Sequence, residues 1–320
     1  MLVTLRKKQE NQNSLSMPIS NKPQLQSPPF SINDVKVAFD CPRLFYLKHN
    51  FGGDYSFLPQ DYIQEIDNAF LDLANQLMNM IWQESRIKVL FAGKFEGLVV
   101  GAIANQIQQL FYEFIFFPYL QTLIKKDATL GTALYQVWQV LTKLIFNISE
   151  IIVKNRRYCN ENVVVRRTLI TAEIPVDYTF KMPYSKIQKL TGKVNNLIFD
   201  FESRRLYIVH YQTYETVEAF PELMALALYS FLLKEKKKVS VDAVVYWVLP
   251  KLGEYHHSWE KLENMVESLV PSKLEKMREW LRWEEFQPDP PPPTEKEYLC
   301  DICPQREKCQ SFFDRGKVEG

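Results

Sequence analysis

Glycine is scarce, at 10 residues in 320. Neither GxGxxG nor GxxxxGKS/T occurs, which argues against a glycine-rich loop that cradles phosphates. An excess of charge of one sign is missing too. Lys and Arg number 39 against 38 Asp and Glu, a net charge of +1, so any nucleic-acid footprint must be a local patch. Cysteine is limited to five residues, too few and too odd for a disulfide scaffold in a chain of this length. Long apolar runs are absent: the most hydrophobic region, Val89 to Ile124, is broken by Lys94, Glu96 and Glu113, short of an uninterrupted membrane span. Met1 to Arg6 lacks the apolar core of an export signal. These features predict a soluble cytoplasmic protein with reduced thiols.

What is present is a chain that can bury a core, with 46% hydrophobic, 24% charged and 13% aromatic residues. Residues 1–29 are polar and proline-punctuated and predict a disordered tail. Residues 30–60 open with Ser31-Ile32-Asn33-Asp34, a cap-like start to a helix, and carry Cys41-Pro42-Arg43. Residues 61–160 read as a helical insert of about four helices, with Ile66, Phe70, Leu73, Leu77 and Ile81 recurring at three and four. The stripe Phe111, Phe114, Ile115, Phe116, Phe117, Tyr119 reads as helical core.

From 161 to 287 the texture predicts a small mixed sheet. Val163–Val165, 168–170, 173–176, Gly192–Phe199 and Arg205–Tyr211 are strand candidates, with Asp200 to Ser203 as a hairpin turn. Pro221–Glu235 predicts a helix, Val239–Leu249 a buried strand and 258–283 an amphipathic helix. His256-His257 reads as loop. Residues 288–320 combine a stiff proline-rich spacer with a cysteine-rich tail. The order of elements predicts an α+β fold.

The sharpest signal is Cys300-x2-Cys303-x5-Cys309. Three thiolates at that spacing can converge on one ion or cluster, and Cys41 is the obvious fourth; Cys159 stands alone in a charged stretch. Such a closure would tie the first ordered helix to the tail and stabilise the fold by limiting the unfolded chain. Thiolates suit zinc and iron–sulfur alike, and spacing leaves zinc as the default.

Cys41-Pro42-Arg43 with its aromatic run, the sheet, a Leu/Ala-rich helix carrying Tyr229, and the terminal CxxCx5C together resemble the RecB-like branch of the PD-(D/E)XK nucleases. The iron–sulfur members are the most similar: the CRISPR-associated exonuclease of spacer acquisition and the AddB-type nuclease domain. The resemblance runs from about residue 30 to 313. It implies a restriction-endonuclease-like core and a 4Fe–4S cluster on Cys41, Cys300, Cys303 and Cys309, with zinc as the alternative. It also implies a Gly-x-x-Asp strand paired with an acid-x-Lys strand, whose carboxylates bind Mg²⁺ or Mn²⁺.

Laid on this sequence, those positions are neutral. Asn195 stands for the Asp, His210 for the acid, Gln212 for the Lys, and Ala225 for a glutamine four before Tyr229. Loss of every charged member predicts no metal-dependent cleavage. Glu173, Lys193 and Glu222 are the possible substitutes, with a His210–Glu173–Glu222 set as the one conceivable Mn²⁺ site. Arg204, Arg205 and Tyr229 are the candidate DNA contacts; Lys234–Lys238, Arg156-Arg157 and Arg166-Arg167 read mainly as solvated faces. The expectation is a catalytically inactive nuclease homologue that binds DNA or organises a complex, with a helicase, CRISPR-associated or DNA-repair protein as partner and no membrane. An active exonuclease with a rearranged site and a scaffold with no DNA role are the alternatives.

Overall fold

The computed structural model of the protein describes residues 28–53, 61–182, 186–214, 220–249, 253–285 and 287–313; nearly all of the tail expected to be disordered lies outside that set. A two-residue strand, β1 (Phe30–Ser31), turns directly into α1 (Ile32–Asp40). Ser31 caps this helix: its Oγ accepts the Asp34 N–H at 3.0 Å, and the Asp34 carboxylate accepts the Ser31 N–H at 2.7 Å. That reciprocal pair satisfies two backbone donors that a helix start otherwise leaves open. Cys41 then takes an extended conformation, φ −152°, and Pro42 opens α2 (Pro42–Phe51), which suits a residue with no N–H to offer.

The helical block consists of α3 (Asp61–Gln83), α4 (Ser85–Leu90), α5 (Val100–Phe111), a π-helical segment at Tyr112–Phe116, α6 (Phe117–Lys126) and α7 (Gly131–Asn155). The residues expected to define its seam, Ile66, Phe70, Leu73, Leu77 and Ile81, are all fully buried. The aromatic stripe divides: Phe111 and Phe116 are core, whereas Phe114 and Phe117 stand exposed.

Two strand expectations need correction. Val163–Val165 lie in a helix, α8 (Glu161–Thr168). Asn160 caps it by accepting the Asn162 N–H at 2.9 Å, and Val164 and Val165 are buried with the helical block; packing overrides the weak preference of β-branched residues for strands. Gly192–Phe199 is not one strand. It is broken between β4 (Ile187–Val194) and β5 (Leu197–Asp200) by Asn196 at φ 54°, a left-handed conformation that Asn tolerates better than most residues. Asn196 Nδ2 donates to Asn75 Oδ1 on α3 at 3.0 Å.

With β2 (Leu169–Ile170), β3 (Ile174–Lys181), β6 (Arg205–Tyr214), β7 (Val241–Leu249) and β8 (Gly253–His257), the strands form two sheets, ordered β1-β4-β3 and β2-β5-β6-β7-β8. His256 and His257 therefore lie on an edge strand, not in a loop. β6 and β7 pair in parallel through the crossover helix α9 (Phe220–Lys237), while the other pairs of that sheet are antiparallel. α10 (Trp259–Arg282) packs on α9, and the tail carries α11 (Glu297–Asp301) and α12 (Arg306–Phe313).

Strand alternation makes the larger sheet a partition between two cores. Val209 and Tyr211 of β6 face the helical block with Val244 and Tyr246. Leu206 and Ile208 face the opposite way, into a core built with α1, α9 and α10. The fold is a mixed α+β arrangement with sheets flanked by helices. Among the described residues, no helix is long and apolar enough to cross a membrane.

Candidate functional site

Four of the five cysteines meet at one place. Cys41, at the start of α2, accepts the Leu44 N–H on Sγ at 3.5 Å. Cys300 lies in α11, Cys303 just beyond it and Cys309 in α12, and all four line a single cavity of about 180 Å³. Cys159 is buried in the helical block, away from them. None of the five is in a disulfide. The cavity far exceeds the roughly 10–15 Å³ that one water needs. Among the described residues, no three His, Cys, Asp or Glu stand close enough together to hold a metal ion.

The electrostatics of the cavity are set by burial. Desolvation is the largest cause pushing the Cys41 thiol up to about 11, and the neighbouring Cys309 and Cys303 add repulsion. Cys303 is raised as well, again chiefly by desolvation. At neutral pH Cys41 therefore keeps its proton unless a cation replaces it, and it is a poor nucleophile. Arg43 and Arg306 line the same cavity with apolar Leu44, Leu47, Pro293 and Leu299, so positive charge is at hand within a largely dry wall.

The tail meets the Cys41 thiol through the Thr294 backbone N–H, and further contacts that involve no sulfur hold it there. Arg43 Nε donates to Pro291 O at 3.2 Å, and Gln305 Nε2 donates to Gly52 O at 3.2 Å. Tyr46 and Phe51 of α2 pack with Trp283, Phe312 and Phe313 in an aromatic cluster, with Arg43 over the Phe313 ring at 4.6 Å. Lys296 lies 3.6 Å from Asp40, whose carboxyl burial pushes up to about 6. Sequence reasoning missed Asp40, Lys296, Arg43 and Arg306.

The second candidate region is the strand pair at β4–β5 and β6. Leu197 lies opposite Ile208, and Val209 N–H donates to Asn196 O at 3.0 Å; Asn195, exposed, lies in the break just before β5, and His210, half-buried, lies on β6 two residues beyond Ile208. Gln212 follows on the same face of β6. The glycine of the motif has a steric role: a Cβ on Gly192 would stand 2.7 Å from Ile32 Cδ1 and 3.0 Å from Tyr229 Cε1. Ala225 is buried one turn before Tyr229.

The charged substitutes are occupied elsewhere. Glu222 is ion-paired with Lys36 of α1, and Glu173 pairs with Lys193 at 2.8 Å on the exposed surface of β4. The His210–Glu173–Glu222 set does not form a metal-sized group. Arg205 is held between Asp242 and Glu260, each at 2.8 Å, which leaves Arg204 as the exposed member of the pair. Lys234 and Lys238 are paired with Glu235, at 3.0 Å in each case.

No family model matches this chain, and no curated protein matches it by sequence. Among solved structures, the chain is similar to the "Putative exonuclease" from Eubacterium rectale, with 12% identity over 88% of this chain and 87% of that one, at a TM-score of 0.40. It is also similar to the protein named SSO0001, with 13% identity over 55% of this chain and 77% of that one, at a TM-score of 0.32. Likenesses of this size carry no inference about activity.

Proposed function

We propose that the protein is a RecB-like PD-(D/E)XK homologue without nuclease activity, which holds an iron–sulfur cluster and serves as a DNA-binding or complex-organising subunit. The observation that supports the cofactor is the cavity of about 180 Å³ lined by Cys41, Cys300, Cys303 and Cys309. Four thiols lining one space suit zinc and iron–sulfur alike; the cluster is preferred on the resemblance of the CxxCx5C tail to the iron–sulfur nucleases. Bound there, the cluster would supply four metal–sulfur bonds joining α2 to the tail; the cysteines would be its ligands, with Arg43 and Arg306 offsetting thiolate charge.

The inactive reading is supported by the chemistry at the strand pair. Asn195 offers a neutral oxygen, an imidazole such as His210 is a poor ligand for a hard divalent ion, and Gln212 brings no cation to a scissile phosphate. The remaining acids nearby are neutralised by Lys36 and Lys193. One purification tests both halves. Protein prepared without oxygen should carry the visible absorbance of an iron–sulfur chromophore and bound iron, and should leave labelled single-stranded DNA intact with Mn²⁺. Reproducible cleavage that disappears in His210→Ala would overturn the inactive reading, and zinc without iron would overturn the cluster.

A further inference from the structure

We propose that the tip of the β5–β6 hairpin and the α7–α8 junction together form a binding surface for single-stranded nucleic acid, remote from the strand pair at 195 and 210. The inference rests on the DNA-binding part of the function proposed above and names the place where it occurs.

One buried side chain builds this surface. Asn155, the last residue of α7, is fully buried. Its Nδ2 donates to Phe199 O at 2.7 Å and to Thr168 Oγ1 at 2.9 Å, while its Oδ1 accepts the Phe201 N–H at 2.9 Å. The carboxamide thus locks the hairpin turn against the ends of α7 and α8. Arg156 does the same for the loop at 91–95, donating to the carbonyls of Phe91 at 2.9 Å, Gly93 at 2.7 Å and Cys159 at 2.8 Å. The surface is therefore assembled from three distant stretches of chain and held by bonds that water cannot easily replace.

Its outer layer alternates rings with cations. Tyr158, 51% exposed, lies nearly parallel to Phe201, at 16° with ring centres 6.4 Å apart. Arg157 covers the Phe95 ring at 4.9 Å and stands 3.8 Å from Glu202. Lys94, Lys154 and Arg204 are exposed around them. Acids share the surface: Glu202 and Glu161 stand beside Arg157 and Arg156, Glu96 is exposed next to Phe95, and Asp200 Oδ1 accepts the Glu202 N–H at 2.9 Å and the Ser203 N–H at 3.4 Å.

An exposed, supported ring flanked by guanidinium and ammonium groups suits an unstacked base with phosphates on either side. A duplex hides its ring faces within its own stack, so the ring selects single strands. The hairpin tip lies six residues along the strands from Asn195 and His210, on the order of 20 Å at strand rise. Binding here makes no demand on the strand pair that lost its charges.

The test is fluorescence anisotropy of labelled oligo(dT) with the full chain, purified without oxygen, over a range of salt. Tyr158→Ala should weaken binding by roughly 5- to 150-fold, the range seen when one base loses its stacking partner. Tyr158→Phe should restore it. Arg157→Gln with Arg204→Gln should flatten the dependence of log K on log salt by about 1.4, at about 0.7 for each phosphate contact on a single strand. If the unaltered chain binds and all three variants bind equally well, the surface is wrong while the DNA-binding reading stands. If the unaltered chain binds no oligonucleotide, that reading fails with it. Tighter binding to the duplex overturns the single-strand assignment alone.

Discussion

Two regions on the α1–α2 side of the molecule hold different chemistry. Around Cys41, all four sulfur donors line one space although they come from opposite ends of the chain. At the strand pair, Gly192 admits Ile32 and Tyr229, and positions 195, 210 and 212 hold neutral groups. The difference is physical. A donor set that joins distant segments contributes to stability as well as chemistry, so its loss loosens the fold. Carboxylates gathered for a divalent ion repel one another and stabilise nothing without it, so neutral groups at such positions cost the fold nothing.

The comparison can be broken most sharply at the cysteines. Cys41→Ala should abolish the visible absorbance and bound iron of anaerobically purified protein. A group that bound the native state at 1,000 times its dissociation constant would contribute about 4 kcal/mol, which for a chain of this length predicts a fall in Tm of about 6 °C by calorimetry. Unchanged colour and Tm would remove the cavity's claim to a cofactor.

Restoring charge tests the other side. Asn195→Asp, His210→Glu and Gln212→Lys together should produce Mn²⁺-dependent cleavage of labelled single-stranded DNA at least ~100-fold above the unaltered chain, about the weight of one lost electrostatic contact in a transition state. The frame itself is probed by Gly192→Val, whose branches must displace Ile32 and Tyr229. A loss of about 1–3 kcal/mol in urea unfolding is expected, with part of it recovered by Ile32→Ala in the same chain.

The smallest effect concerns pH and lies outside both regions. Glu254 on β8 is held down to about 2, first by His256 at 2.8 Å and then by Lys143 at 2.8 Å on α7. Its folded value lies below its ordinary one, so its stabilisation is complete above about pH 4.5 and is lost as pH falls toward 2. Glu254→Gln should therefore flatten acid unfolding in that window by about 1 kcal/mol or less, as read by circular dichroism.

Much of the fold was legible in the chain. Long periodic segments such as α3, α9 and α10 fell where apolar spacing put them, because a buried stripe is a local pattern. Short apolar runs were not decisive. Val163–Val165 read as a strand until capping by Asn160 and packing by the helical block made them a helix. Asn195-Asn196 hid a break that only a left-handed residue bonded to Asn75 explains. Of the candidate site, Cys300, Cys303 and Cys309 were legible by spacing and Cys41 by elimination, whereas the pairing of Arg205, Glu222 and Lys193 was not. Partners drawn from elsewhere in the chain leave no periodic trace.

By itself the sequence determined which chemistry is available: thiols in a recognisable pattern, and neutral amide and imidazole groups at 195, 210 and 212. These properties belong to the side chains and travel with them. The tertiary structure alone decided that Cys41 faces the tail, that Asn155 binds a hairpin to two helices, and that particular cations are already paired. Proximity across hundreds of residues is set by how two cores pack on one sheet, which no local stretch of chain encodes.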